Sequence, residues 1–161
     1  MIVHMRIDNR LIHGQVTVNW VGAVGADCLL VVNDEVAEDD IQKQMLPAAA
    51  RGVKTLVISI DEAIEFIKNA PEKEKIMIIA KFPSDALTLL ERGILPKEIN
   101  VGNQAPIPAT KFKMVTKSIA VTEEDAATYR KIQGMGYNLT SMMMPSDSNK
   151  SFIDLLASKK L

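Results

Sequence analysis

Short runs of β-branched and aliphatic residues recur along the chain near residues 2–7, 27–32, 53–59, 75–80, 98–101, 117–121 and 137–143. Stretches with apolar residues at helical spacing separate most of them. That alternation commits the chain to strand–helix–strand units, and so to an α/β fold. The expected architecture is an open, predominantly parallel sheet of six to seven strands with helices on both faces. Helices are predicted near 14–24, 37–50, 61–69, 84–92, 123–134 and 149–158. Asp61, Ser84 and Thr122 each precede a periodic segment, and the hydroxyl of Ser84 or Thr122 suits the orphan amides of a first turn. Asp34 is expected to cap the helix after it. Pro106 and Pro108 make residues 102–113 an irregular excursion that would wall a site. With 161 residues, 47% of them hydrophobic, and no repeat or low-complexity linker, residues 1–161 are read as one domain.

Charge and cysteine content exclude several classes of function. A net charge of -1 and a pI near 6.1 give no basic field for nucleic acid. No run reaches the roughly 18 to 20 apolar residues that span a bilayer, and the start lacks a basic region followed by an apolar signal core. A cytoplasmic location is expected. The lone Cys28 has no internal disulfide partner, and no Cys/His cluster has zinc-site spacing, so neither a metal nor a cofactor is expected.

The chemistry concentrates in the opening segment, Val3-His4-Met5-Arg6-Ile7-Asp8-Asn9-Arg10-Leu11-Ile12-His13-Gly14-Gln15-Val16. A strand runs into a charged turn and then into a helix, which places His13 where free first-turn amides and the positive end of a helix dipole favour an anion. Arg10 and Arg6 would add forked hydrogen bonds to phosphate oxygens, and Gly14 and Gln15 would donate at the helix start. Asp8 repels a dianion, so its expected task is to organise the loop by holding an arginine or a backbone N–H. A neutral imidazole is a competent phosphoryl acceptor near neutral pH, with transfer supported by positioning and electrostatics rather than by a metal.

Arg6 to Val16 resembles the active-site loop of the mannose/fructose/sorbose-type IIB components of the bacterial phosphoenolpyruvate-dependent sugar phosphotransferase system. Val31-Val32-Asn33-Asp34-Glu35-Val36-Ala37, Gly93 and Ile99-Asn100-Val101-Gly102-Asn103 follow in the family's order and approximate spacing. The resemblance implies that His13 accepts a phosphoryl group from a phosphohistidine of a IIA protein through Nδ1. It then passes the group to the 6-hydroxyl of a hexose or amino sugar held by membrane IIC and IID components, beside which the chain would lie peripherally. Trp20-Val21-Gly22 and residues 33–39 look closest to N-acetylgalactosamine-type members. Where relatives often carry paired glycines, Gly102 is followed here by Asn103, a residue that tolerates left-handed backbone.

Other residues carry weaker signals. Lys81-Phe82-Pro83 and Gly102-Asn103-Gln104, each following a predicted strand, would border the same crevice if those strands neighbour the first, with Lys81, Phe82 and Gly102 as the candidate contacts. Leu11, Ile12 and Phe82 are read as an apolar rim that excludes water from the phosphoramidate when a partner docks. His4, within a strand, is read as structural. Cys28 sits in what reads as a buried strand, and Met142-Met143-Met144 as core or interface packing. Three other readings stay open: a non-catalytic phosphate- or nucleotide-binding module, a small hydrolase using His13, and a pure interaction protein. The first lacks a Gly-x-Gly-x-x-Gly or Gly-x4-Gly-Lys-Ser/Thr pattern, and the second lacks a nearby second acid or base.

Overall fold

The computed structural model describes residues 1–161. In chain order its elements are β1 (Ile2–Asp8), α1 (Gly14–Val24), β2 (Cys28–Val32), α2 (Asp34–Glu38), α3 (Asp40–Ala49), β3 (Lys54–Ile58), α4 (Ile60–Asn69), β4 (Ile76–Ala80) and α5 (Pro83–Glu91). They continue with β5 (Ile99–Asn103), β6 (Lys113–Thr116), β7 (Ile119–Val121), α6 (Glu123–Gly134), β8 (Leu139–Ser141), β9 (Lys150–Ser151) and α7 (Phe152–Ser158).

Seven strands form one sheet in the order β3-β2-β4-β1-β5-β8-β9, parallel except for β9, which runs antiparallel to β8. Both faces are covered, so β2 and β4 are apolar throughout and fully buried. Leu29, Val31, Met77 and Ile79 point to the side of α1, α2 and α3 and pack with Trp20, Val21 and Val36. Leu30, Val32, Ile76 and Ile78 point the other way, against Ala63 of α4, Leu89 of α5, Tyr129 of α6 and Phe152 of α7. Cys28 belongs to this second cluster, and burial pushes its thiol up to about 11, which leaves it inert. No helix is long and apolar enough to cross a membrane.

Local chemistry explains where the elements depart from the expected boundaries. The segment expected as one helix over 37–50 is two, because Asp39 stays extended and its carboxylate accepts from the amides of Ile41 and Gln42, both at 3.1 Å. Asn33, not Asp34, caps α2 through the Val36 amide (3.0 Å), and Asp34 instead accepts from Ile60 N (2.9 Å) at the start of α4. Ser59 and Glu62 close a reciprocal capping box on α4, and Thr122 with Asp125 does the same on α6 as its hydroxyl promised. Ser84 lies inside α5, where the Asp85 carboxylate holds the Phe82 amide at 3.1 Å. Residues 117–121 do not extend the main sheet. Thr116 Oγ1 accepts from Ser118 N (3.2 Å) and turns the chain, so β7 pairs antiparallel with β6 as a separate ribbon. The segment expected as a helix from 149 spends Lys150 and Ser151 on β9 before α7 begins.

One expectation is overturned by burial. Leu11 and Ile12 are 4% and 7% exposed, packed into the α1-side cluster, and form no surface rim. Leu11 even holds a left-handed φ of 65°, a conformation unfavourable for leucine that its buried side chain stabilises. Leu11→Ala and Ile12→Ala should therefore each lower unfolding free energy by about 2–5 kcal/mol, the range for emptying a buried aliphatic site. Urea unfolding measures this; midpoints unchanged from wild type would place both side chains in solvent.

Candidate functional site

β1 is the fourth of seven strands, flanked by β4 and β5. The connection after β1 runs to β2 on one side, while the chain after β5 reaches β8 on the other. The crevice beyond the carboxyl ends of β1 and β5 is therefore the topological switch point, where doubly wound sheets hold ligands. The residue 9–13 loop stands there. Its position is fixed by Asn9, whose N donates to Asn103 O (3.1 Å) and whose side chain exchanges two hydrogen bonds with the Ala105 backbone (2.8 and 3.0 Å).

Strand alternation turns Met5 and Ile7 into one core and His4, Arg6 and Asp8 toward α1. All three polar side chains are buried, at 1–2% exposure. Trp20 of α1 covers the stripe: its ring stacks on His4 (centroids 4.6 Å apart), lies 5.3 Å from Arg6 Cζ, and donates from Nε1 to Met143 O (2.9 Å). His4 Nδ1 pairs with Glu98 at 2.6 Å, in keeping with a structural histidine.

Arg6 spends its donors inside the protein. Nε donates to Asp8 (3.3 Å), Nη1 to Asn100 Oδ1 (2.5 Å) and Met142 O (3.1 Å), and Nη2 to the Met143 sulfur (3.8 Å). Asn100 passes the link on to Thr140 of β8 (3.0 Å). Burial lowers the Arg6 pKa, an effect opposed chiefly by the adjacent Asp8 charge. Gly102 makes room for this side chain, because a Cβ there would fall 2.1 Å from Arg6 Cζ.

Arg10 is the outward arginine, 25% exposed. Asp8 grips it side-on, Oδ1 taking the Arg10 backbone N (2.9 Å) and Nε (3.3 Å) and Oδ2 taking Nη2 (3.3 Å). With its nitrogen donating to Ser118 O (3.1 Å), the Asn103 amide also accepts from Arg10 Nε (3.2 Å). Asn103 thus has a side-chain task, and its backbone is strand rather than left-handed. Arg10 Nη2 also reaches the Met143 sulfur at 3.4 Å, and Nη1 has no protein acceptor.

His13 is exposed and stands at the N-cap of α1. Its backbone N donates to Thr17 Oγ1 (2.8 Å), and its ring makes no hydrogen bond. Gly14 follows with φ of +50°, which explains the glycine. The first turn of α1 holds no acidic residue, whereas each of the six other helices has at least one there. The positive end of α1 is left uncompensated.

The structure thus joins Arg6, Asp8, Arg10 and Gly102 in one cluster below the His13 turn. Other expected site residues stand apart from that network. Gln15 is held by Asn19 (2.7 Å) and Arg51 (2.8 Å). Lys81 Nζ lies 5.1 Å over the ring of Phe82, and Lys81 O accepts from Gln104 (3.0 Å). Sequence reasoning missed Asn100, Trp20 and Met143, and reached Asn103 only as a neighbour of Gly102 at the edge of the crevice. An asparagine inside the apolar run Ile99-Asn100-Val101 was the one signal at hand. A cleft of about 370 Å³ opens beside the cluster, lined by Gly102, Ser118, Ser141, Met143, Asp147 and Lys150 among others.

Residues 2–161 match the family model described as the PTS system sorbose subfamily IIB component. The chain is 36% identical over 156 residues to the N-acetylgalactosamine-specific phosphotransferase enzyme IIB component 2 of Escherichia coli, covering 96% of this chain and 98% of that protein. It superposes on the crystal structure of the IIBSor domain of the sorbose permease from Klebsiella pneumoniae with a TM-score of 0.91 at 29% identity, covering 98% of this chain and 97% of that one. It is also 30% identical to the mannose-specific EIIAB component of Escherichia coli, with 94% of this chain matching 47% of that longer protein.

Two outcomes follow from the buried stripe. Gly102→Ala should displace Arg6 and lower unfolding free energy by about 2 kcal/mol or more, since the charged group would lose buried partners; an unchanged thermal midpoint would show that Arg6 has room to move. Glu98 is held below its usual range mainly by the His4 hydrogen bond. Its contribution is present above the unfolded value of about 4.3 and is lost as pH falls through the lower folded value. The stability gap between wild type and Glu98→Gln should accordingly be open near neutrality and close as the medium turns acidic, and a gap independent of pH would refute the pairing.

Proposed function

Because the chain belongs to the sorbose subfamily of IIB components of the sugar phosphotransferase system, and so to a family of phosphotransferases, we propose that His13 is the group that carries the phosphoryl through it. The observation that carries this reading is the exposed imidazole at an α1 terminus that lacks both a side-chain cap and first-turn acids, beside an arginine with a free Nη1. An incoming phosphoryl group meets the helix amides on one side and Arg10 on the other.

In the first step a neutral ring nitrogen of His13, Nδ1 on the family pattern, attacks the phosphorus of a IIA phosphohistidine. The new N–P bond forms as the donor N–P bond breaks, and the donor imidazole, protonated on its other ring nitrogen, leaves neutral while His13 keeps the proton on its own second nitrogen. In the second step a sugar hydroxyl attacks the phosphorus, the O–P bond forms as the His13 N–P bond breaks, the hydroxyl proton passes to solvent, and His13 leaves as the neutral imidazole. No metal or nucleotide enters either step. Arg10 contacts the phosphoryl oxygens, with the Gly14 and Gln15 amides donating at the helix start. Asp8 fixes Arg10, and Arg6 acts beneath through Asp8 and Asn100.

IIA is the donor partner, a reading supported by the IIA-linked architecture of the mannose-specific relative's name. Membrane IIC and IID components supply the sugar, which places the chain in the cytoplasm at the membrane surface. An amino sugar of the N-acetylgalactosamine type is favoured by the 36% identity to the component of that name. The apolar ground for docking is Phe82, half-buried, with exposed Ile107 and Phe112, on or beside the segment that Ala105 ties to Asn9.

Intact-protein mass spectrometry after incubation with phosphoenolpyruvate, the general carrier proteins and a charged IIA tests this. Wild type and Cys28→Ser should gain one acid-labile phosphate and His13→Ala none. Arg10→Lys should slow the transfer at least about tenfold, since an ammonium lacks the two-pronged geometry. No phosphate on wild type would leave the non-catalytic binding module as the reading.

A further inference from the structure

Met143 stands against both arginines, and its sulfur is the unusual member of the network. A guanidinium has five N–H groups. In Arg10, Nε and one Nη2 hydrogen take the Asp8 carboxylate side-on, the second Nη2 hydrogen lies toward the Met143 sulfur, and both Nη1 hydrogens are free. A two-pronged grip on a phosphoryl group from the open end needs one Nη1 hydrogen and that second Nη2 hydrogen together. The second Nη2 hydrogen is therefore occupied before the phosphoryl arrives, by a neutral thioether, a weak acceptor.

We propose that Met143 is a positioning residue whose sulfur holds the open end of Arg10 as a placeholder and yields it to the phosphoryl oxygens. The inference rests on His13 carrying the phosphoryl and Arg10 meeting it. Ranking of acceptors decides the exchange: an anionic phosphate oxygen binds a guanidinium N–H far more strongly than a thioether does, whereas a carboxylate or amide oxygen at the same place would compete. Asp8 keeps its two bonds throughout, so Arg10 changes one acceptor without leaving its place. The sulfur is itself anchored. Met143 O accepts from Trp20 Nε1 (2.9 Å), and the neighbouring Met142 O accepts from Arg6 Nη1 (3.1 Å). Met143 also lines the cleft beside Gly102, which gives the displaced side chain somewhere to turn.

The test compares Met143→Leu, which removes the acceptor, with Met143→Gln, which keeps side-chain length and supplies an oxygen. Phosphoryl transfer from charged IIA is followed with KM and kcat separated, together with the half-life of the acid-labile phosphate on the isolated chain. Thermal midpoints establish that each variant is folded. Met143→Gln, whose oxygen keeps the Arg10 prong, should lower kcat about tenfold and shorten the phosphate half-life with KM for IIA unchanged, whereas Met143→Leu, which frees the prong without holding it, should lower kcat about threefold and leave the phosphate half-life as in wild type; a Met143→Leu variant with wild-type kcat would show that the sulfur holds nothing. Equal behaviour of the two variants, whether both like wild type or both impaired, would overturn the placeholder role, because it would make the position indifferent to acceptor strength or merely a packing site. Absence of phosphate on wild type would instead remove the carrier reading, and this inference with it.

Discussion

A single buried carboxylate organises the functional end of this molecule. Asp8, 1% exposed, accepts from Arg6 beneath it and from the backbone and side chain of Arg10 above it. Burying an ion is costly unless its partners saturate it, and here both oxygens are saturated by guanidinium and amide donors. Two cations share one anion, which leaves a net positive charge at the switch point. The Arg10 backbone bond to Oδ1 also sets the tight turn, and Leu11 N returns to Asp8 O (3.1 Å) to close it. Loop shape and charge placement thus come from the same carboxylate.

The other requirement is that a strand in the middle of a sheet carry a polar face. β1 does so because all but one of its buried polar side-chain atoms find a partner from neighbouring segments, the exception being His4 Nε2, which has no hydrogen-bond partner. His4 has Glu98 and the Trp20 ring; Arg6 has Asn100, which reaches Thr140. The chain of contacts ties β1, β5, β8 and the Met142–Met143 backbone into one unit, so the floor of the site is as rigid as the sheet. Gly102 belongs to this floor. Its missing side chain is occupied by the Arg6 guanidinium, which explains a glycine in a fully buried strand without any contact to ligand.

Much of this was legible in the sequence, and the reason lies in periodicity. The parallel sheet, its helices and the His13 turn all follow from alternating apolar runs that tertiary packing reinforces. The misreadings fall where one side chain decides a boundary: Asp39 splitting a helix, Thr116 turning a strand back, Ser151 delaying α7. Within the site, His13, Arg10 and Asp8 were visible because they share one short segment. Asn100, Trp20 and Met143 were not, and Asn103 was visible only as part of a bordering loop, because the register that brings them to Arg6 and Arg10 is a property of the folded sheet. Arg6 was read as a ligand by its chemistry alone; alternation buries it, and Asp8, Asn100, Met142 and Met143 engage four of its five donors.

A phosphoryl carrier faces a constraint that a tight binding site does not: the group it accepts must also be given away. A site holding several free guanidinium forks would bind the phosphohistidine state strongly and slow its discharge, since ground-state stabilisation that is not increased in the transition state gives no rate. The arrangement around His13 fits the intermediate requirement. Arg6 is withdrawn into the floor, Arg10 is half committed to Asp8, and the remaining attraction comes from helix amides and one open guanidinium edge. On the proposed reading, that positive charge would orient a transferring phosphoryl group, and the bonds Asp8 already makes to Arg10 would limit how firmly the charge could close on it.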